Sequence, residues 1–396
     1  MDLNYDPPAT FRESFDLAHE IVAGELGTDD FGPDDYVPGL KALLQAYDYD
    51  PHFHEQGRRI AWGMVVGTLK GRAQAYLSMN QNPGFDAQAI ESPVVIVGVP
   101  RTGTTALHRL LAVDPRFQGL QTWLLDMPRP RPPFDTWPDY PEFQRTAAAL
   151  AAQYEAAPEH KAVHYRAAEE VHECCMLLRQ SFVSNLWACG PSAPTYDAWW
   201  QRQSEAAAYA HYRKCVQLIG MNDPGKRWLL KNPGHIHNLD LLFAVFPDAR
   251  VIQTHRDPAK AIPSLVSLLM QMHPLYEEGR VEERGKVMLT REVANWADAV
   301  RRCDTVRAAH PRAVLDVVHG DFHREPMQVV ERIYDFIGWT IPDDTRTALA
   351  QRIAAKPELQ HGTHRYRIED YGMSAQEARE PFGDYMERFD LVEKSA

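Results

Sequence analysis

The sequence predicts an α/β fold: a three-layer sandwich with a central parallel sheet, preceded by a helical region. Three observations lead there. Val94, Val95, Ile96 and Val97 form a run that is apolar on both faces, as in a strand buried inside a parallel sheet. Strand–turn–helix units then recur from Arg227, from Ala249 and from Ala313, and that alternation builds wound parallel sheets. Residues 1–90 carry apolar residues at helical spacing.

In chain order, helices are expected over Phe11 to Leu26, Lys41 to Tyr47 and His54 to Met79. Asn82-Pro83-Gly84 turns the chain before the first strand. Residues 1–90 are read as one helical region, a lid, an oligomer contact or simply a cover for the sheet, and residues 91–396 as the α/β domain. A short strand is expected at Gly119 to Trp123. The six prolines from Pro128 to Pro141 demand an irregular, extended path. Helices are expected at Ala147 to Ala157, Glu169 to Trp187 and Tyr196 to Ile219. Trp228 to Leu230, Val251 to Thr254 and Ala313 to Val318 read as strands, followed by helices from Ile236, Pro258 and Pro326. Asp257 is placed to cap its helix, with Pro258 at the first position. Ser374 and Glu377 form a capping box.

The first unit carries the chemistry. Gly98 and Gly103 have the spacing of the phosphate-binding pattern G-x-x-x-x-G-K-[ST], with Thr105 as the hydroxyl and Thr104 in place of the lysine. The fold is therefore expected to be P-loop-like. Its loop amides and helix N-terminus suit an anion. Arg101 supplies the fixed charge, so a magnesium–triphosphate is not the expected ligand. Ligands of open parallel sheets bind beyond the carboxyl ends of the strands. Lys231 and His255-Arg256 occupy two more such ends.

The net charge of −12 and the lack of a basic stripe argue against nucleic acid as partner. The five cysteines show no C-x-x-C spacing, so neither a disulfide framework nor a zinc site is expected. The polar, acidic start and the lack of a long apolar run predict a cytoplasmic protein without stable membrane insertion.

Taken together, GVPRTGTT (98–105), WLLKNPGH (228–235), HRDPAKAIPS (255–264) and GDFHREPMQVVERIYDFIGW (320–339) make the chain resemble sulfotransferases that use 3′-phosphoadenosine 5′-phosphosulfate (PAPS), in the bacterial, largely actinobacterial, branch. The resemblance implies a PAPS donor, no metal, and a small acceptor with a hydroxyl, apolar or glycolipid-like. It implies that Arg101, Thr102, Gly103, Thr104 and Thr105 hold the phosphosulfate. It gives Arg256 and Ser264 the 3′-phosphate, Lys231 the bridging oxygen or the sulfate, and Arg365 and Tyr366 a loop over the nucleotide.

A general base must take the acceptor's proton. Related enzymes often have glutamate directly after a tryptophan here; this chain has Trp123-Leu124. The candidates are Glu170, Glu169, His172, Asp126 and His235, with Glu170 first on the resemblance. Phe182, Trp187, Trp199 and Trp200 are candidates for an acceptor pocket. The competing readings are a P-loop kinase or NTPase, which Thr104 disfavours, and a non-catalytic nucleotide-binding protein. A homo-oligomer is compatible with the sequence.

Overall fold

Val94–Gly98 forms β1, and its neighbours explain its composition. Val94 and Ile96 face one apolar cluster with Leu107, Leu111, Leu229 and Ile252. Val95 and Val97 face another with Leu230, Val251 and Ile262. Alternate side chains therefore enter two different cores, which is why no position of the strand is polar. The computed structural model describes residues 5–156, 165–355 and 367–391.

Four more strands complete the sheet: β2 (Phe117–Gln118), β3 (Arg227–Lys231), β4 (Arg250–His255) and β5 (Val314–Val318). Their order is β2-β3-β1-β4-β5 and every pairing is parallel. Helices lie on both faces, so the expected P-loop-like, three-layer α/β architecture is the one observed. Because β3 and β4 flank β1, the chain leaves the three central strands at neighbouring points. That is the switch point where open sheets bind ligands.

Ahead of the sheet, α1 (Phe15–Leu26), α2 (Val37–Tyr49) and α3 (Glu55–Gln81) bury Val22, Leu40, Leu43, Trp62 and Val65. They share that cluster with Phe182, Trp187, Tyr196 and Trp200. Arg72, fully buried in α3, donates to Phe31 O (2.7 Å) and Pro33 O (2.9 Å) and pairs with Asp35 (2.6 Å).

Three expectations need correction. The segment Glu169 to Trp187 is not one helix. Apolar residues at helical spacing suggested one, but the backbone of 168–174 is used elsewhere. Thr122 N donates to Glu170 O (3.0 Å), His172 N to Leu120 O (2.7 Å) and Cys174 N to Lys231 O (2.9 Å). Cys175–Leu178, the 3-10 turn Arg179–Ser181 and Leu186–Cys189 are separate short helical pieces there. The strand expected at Gly119 to Trp123 lies earlier, at Phe117–Gln118, and Thr122–Asp126 is helical. Tyr196 to Ile219 is two helices, Pro194–Trp200 and Ala206–Gly220. Asp257 caps its helix through Ala259 N (2.9 Å), and Ser374 with Glu377 closes the capping box, as expected.

Candidate active site

The loop between β1 and α4 (Thr104–Leu111) is shaped by three residues with positive φ: Gly98 (142°), Arg101 (68°) and Gly103 (92°). Gly98 has no substitute. A Cβ there would stand 2.5 Å from Thr254 O. Arg101 adopts the left-handed region although it is not glycine, a strained state that persists where its surroundings hold it. Here Arg256 Nη1 donates to Arg101 O (2.9 Å), and Arg101 Nε donates to Ser264 Oγ (3.1 Å). Thr102 is turned inward, its hydroxyl donating to Val99 O (2.7 Å). No side chain caps α4, and its first residues, Thr104 and Thr105, line the cavity above the loop with Gly103.

Lys231 comes from the end of β3, with its side chain 1% exposed. Its ammonium donates to Thr105 Oγ1 (3.1 Å) and pairs with Glu173. A cation thus reaches the loop's hydroxyl from the next strand, while Thr104 occupies the usual lysine position.

These residues meet at one cavity of about 770 Å³. Arg101, Gly103, Thr104, Thr105 and Arg256 form one end. Glu170, His172 and Glu173 stand along the wall. The far end is lined by Leu186, Cys189, Trp200, Leu269 and Trp296, with the carboxyls of Glu205 and Glu292 among them. Lys231, Thr102 and Ser264 lie behind this wall and act on it through Thr105, the loop backbone and Arg101.

Glu170 pairs with Arg109 (2.7 Å), and both side chains also line a second cavity of about 710 Å³ beside Gln118, Arg131 and Trp137. His235 is not brought to the cavity. It is fully buried, its Nδ1 2.7 Å from Tyr209 Oη, between the rings of Tyr209 and Tyr212. Burial pushes its imidazole down to about 3, so it is a neutral core residue. His255 is likewise held in the core. Its ring stacks on Phe389 and its nitrogens meet Tyr385 Oη (3.0 Å) and Asp316 (2.8 Å). Arg365 and Tyr366 lie outside the described residues. Of the four aromatic residues named from sequence, Trp200 lines the cavity, Phe182 and Trp187 stack on each other in the N-terminal core, and Trp199 packs against that core.

Two features were not legible in the sequence. Arg379, from the C-terminal helix, grips Asp257 (Nη2–Oδ2 2.5 Å, Nε–Oδ1 3.0 Å) and so fixes the turn that presents Arg256. Nothing at position 379 marks it except a basic residue near a helix end. Glu205 is buried at the far end of the cavity, accepting from Trp200 Nε1 (2.9 Å). Burial raises its carboxyl from 4.5 to about 7. Below pH 4.5 the group is neutral in folded and unfolded chains alike. As pH rises from 4.5 to 7 the unfolded chain ionises first, and stability is lost. Glu205→Gln is therefore expected to stabilise the fold by about 3 kcal/mol above pH 7 and to leave it unchanged near pH 4. Urea unfolding of both proteins at the two pH values checks this; equal midpoint differences at both would contradict it.

Residues 93–343 match the profile of the sulfotransferase family. That span is more than half the chain, and the protein belongs to the sulfotransferase family; it is an enzyme of that class. Among solved structures it is similar to sulfotransferase STF1 from Mycobacterium tuberculosis H37Rv, with 34% identity, 96% of this chain and 100% of that chain covered, and a TM-score of 0.83. Sulfotransferase STF9 from Mycobacterium avium, 24% identical over 98% of this chain and 99% of that one, shares the fold with a TM-score of 0.86. A curated relative is the omega-hydroxy-beta-dihydromenaquinone-9 sulfotransferase Stf3 of Mycobacterium bovis, 23% identical over 337 residues, 82% of this chain and 83% of that protein. The family implies a sulfonate donor.

Proposed function

We propose that the protein transfers a sulfuryl group from PAPS to the hydroxyl of a small apolar or glycolipid-like acceptor, without a metal, in the cytoplasm. The observation that carries the donor is the convergence at one cavity of Arg101, Arg256 and the uncapped start of α4, with Lys231 directly behind. In this reading Arg256 binds the 3′-phosphate, with Ser264 acting through Arg101, and residues 101–105 hold the phosphosulfate, Thr102 by its backbone alone. The acceptor oxygen attacks sulfur, the bond from sulfur to the bridging oxygen breaks, and the charge left on the bisphosphate is met by Lys231 and the loop amides. The acceptor's proton passes to Glu170, and Glu173 holds Lys231 in place.

The leucine- and tryptophan-lined far end suits an apolar body. The curated relative's name, which specifies a hydroxylated menaquinone, supports an acceptor of that kind. All five cysteines are free, as suits a reducing compartment.

Thermal unfolding with adenosine 3′,5′-bisphosphate in EDTA tests the donor. A ligand that binds the native state raises the midpoint by mass action. The wild type is expected to be stabilised. Arg256→Ala is expected to bind about 10- to 100-fold more weakly, the equivalent of one charge-assisted hydrogen bond. Stabilisation by magnesium–ATP alone would overturn the reading in favour of a kinase or NTPase.

A further inference from the structure

A fourth strand end, that of β5, contributes to the cavity. The helix His319–Arg324 begins directly after β5. His319 and His323 stand four residues apart on it, on one face, and both line the cavity beside Arg256. Their Nε2 atoms are 3.0 Å apart and their ring centroids 4.3 Å. The His319 ring also lies against the anion loop, its Cδ2 3.3 Å from where a Cβ on Gly103 would stand.

Two Nε2 atoms at that distance share one hydrogen: one nitrogen donates and the other accepts. The pair has room for one more proton, because an imidazolium Nε2–H can donate to the bare Nε2 of its neighbour. A second would place two N–H groups face to face. We propose that His319 and His323 form a proton-sharing pair within the donor site, which takes up one proton when the nucleotide's phosphates bind and so becomes a further cation of that site. The inference rests on the PAPS reading above.

The surroundings set the direction. Burial, with Arg256 from the turn after β4, His323 itself and Lys260 from the helix Pro258–Met272, holds His319 down to about 3. Burial and Arg256 hold His323 below its ordinary value as well. On their own helix, Asp321 is paired with Arg324. The ligand-free pair is therefore neutral at pH 7. A phosphate brings several negative charges into the same cavity and reverses the sign of the local field, which favours the protonated pair. Binding then consumes a proton, and affinity rises as pH falls.

Isothermal titration of adenosine 3′,5′-bisphosphate into the wild type, at pH 7.5 in buffers of different ionisation enthalpy, counts that proton. At this pH the nucleotide's own phosphates are already fully ionised and contribute little. The expected result is net uptake approaching one proton per nucleotide. Uptake should vanish in His319→Gln and in His323→Gln, with affinity reduced and its pH dependence flattened in both. His323 is the more exposed of the two, so its variant reports on the pair even if His319→Gln unfolds. Binding by the wild type without proton uptake, or uptake that persists in His323→Gln, would overturn the pair while leaving the donor reading intact. No binding by the wild type would remove the donor reading, and this inference with it.

Discussion

Lys231→Met is expected to lower turnover by about 10²- to 10³-fold while leaving the affinity for adenosine 3′,5′-bisphosphate within a few-fold of wild type. That is the size of effect seen when one donor aimed at a developing oxyanion is removed. The ammonium is nearly inaccessible to water and is held between Thr105 Oγ1 and Glu173. In the proposed reading a group in that position touches the loop that would hold the donor and does little for ground-state binding, which Arg101 and Arg256 would supply. Methionine keeps the bulk but strands Glu173, whose side chain is 20% exposed, without its cation. Part of any loss could therefore come from the fold. The double variant Lys231→Met/Glu173→Gln separates the two: it should recover stability and not activity. Release of bisphosphate from labelled PAPS in the presence of an acceptor alcohol measures the rate. Turnover within threefold of wild type would exclude Lys231 from the reacting centre.

Why Lys231 and Arg256 were legible in the sequence and other groups were not has a physical basis. A strand buried in a parallel sheet is written as a short run of apolar or β-branched residues, and a polar or glycine residue close after the run marks its end. Val97-Gly98, Leu230-Lys231 and His255-Arg256 are such ends, and a topology that sets β3 and β4 on either side of β1 brings them together whatever the loops do. The helix caps at Asp257 and Ser374 were equally local. What failed was non-local. The residues from Glu169 to Trp187 have helical spacing, yet Leu120 and Thr122 pair with their backbone and pull them into an extended path. That path hands the lysine to Glu173, a residue the expected helix would have left as one of several surface acids. His235 failed for a related reason. The turn Pro233–His237 points the ring into Tyr209 and Tyr212. A histidine in a functional motif and a histidine in a core are written with the same letter.

The far end of the cavity depends on a single arginine, and its removal is expected to be the most damaging change to the fold. Arg291, on the helix Val281–Ala309, grips Asp197 with two bonds (Nη2–Oδ1 2.6 Å, Nε–Oδ2 2.9 Å), donates to Asn185 Oδ1 (2.6 Å) and pairs with Glu292. Glu292 is fully buried and accepts from Trp296 Nε1 (2.7 Å). Arg291→Ala would leave the carboxylates of Asp197 and Glu292 without the cation that bridges them, Glu292 fully buried and Asp197 14% exposed. Breaking a buried pair in this way removes about 3–5 kcal/mol, a large share of the roughly 5–15 kcal/mol that keeps a domain folded. Arg291→Lys keeps the charge but not the planar fork, and should fall between the two. The triple change Arg291→Met/Asp197→Asn/Glu292→Gln should recover most of the loss, because no uncompensated charge remains. Urea midpoints for the three variants order them. If Arg291→Ala lost less than about 1 kcal/mol, the range of an exposed pair, the network would be no more than a surface bridge. Function should report the same geometry. Asn185, Cys189, Glu292 and Trp296 all line the cavity's far end, away from Arg101 and Arg256. A folded Arg291→Lys enzyme should therefore show a raised KM for the acceptor with an unchanged affinity for the nucleotide.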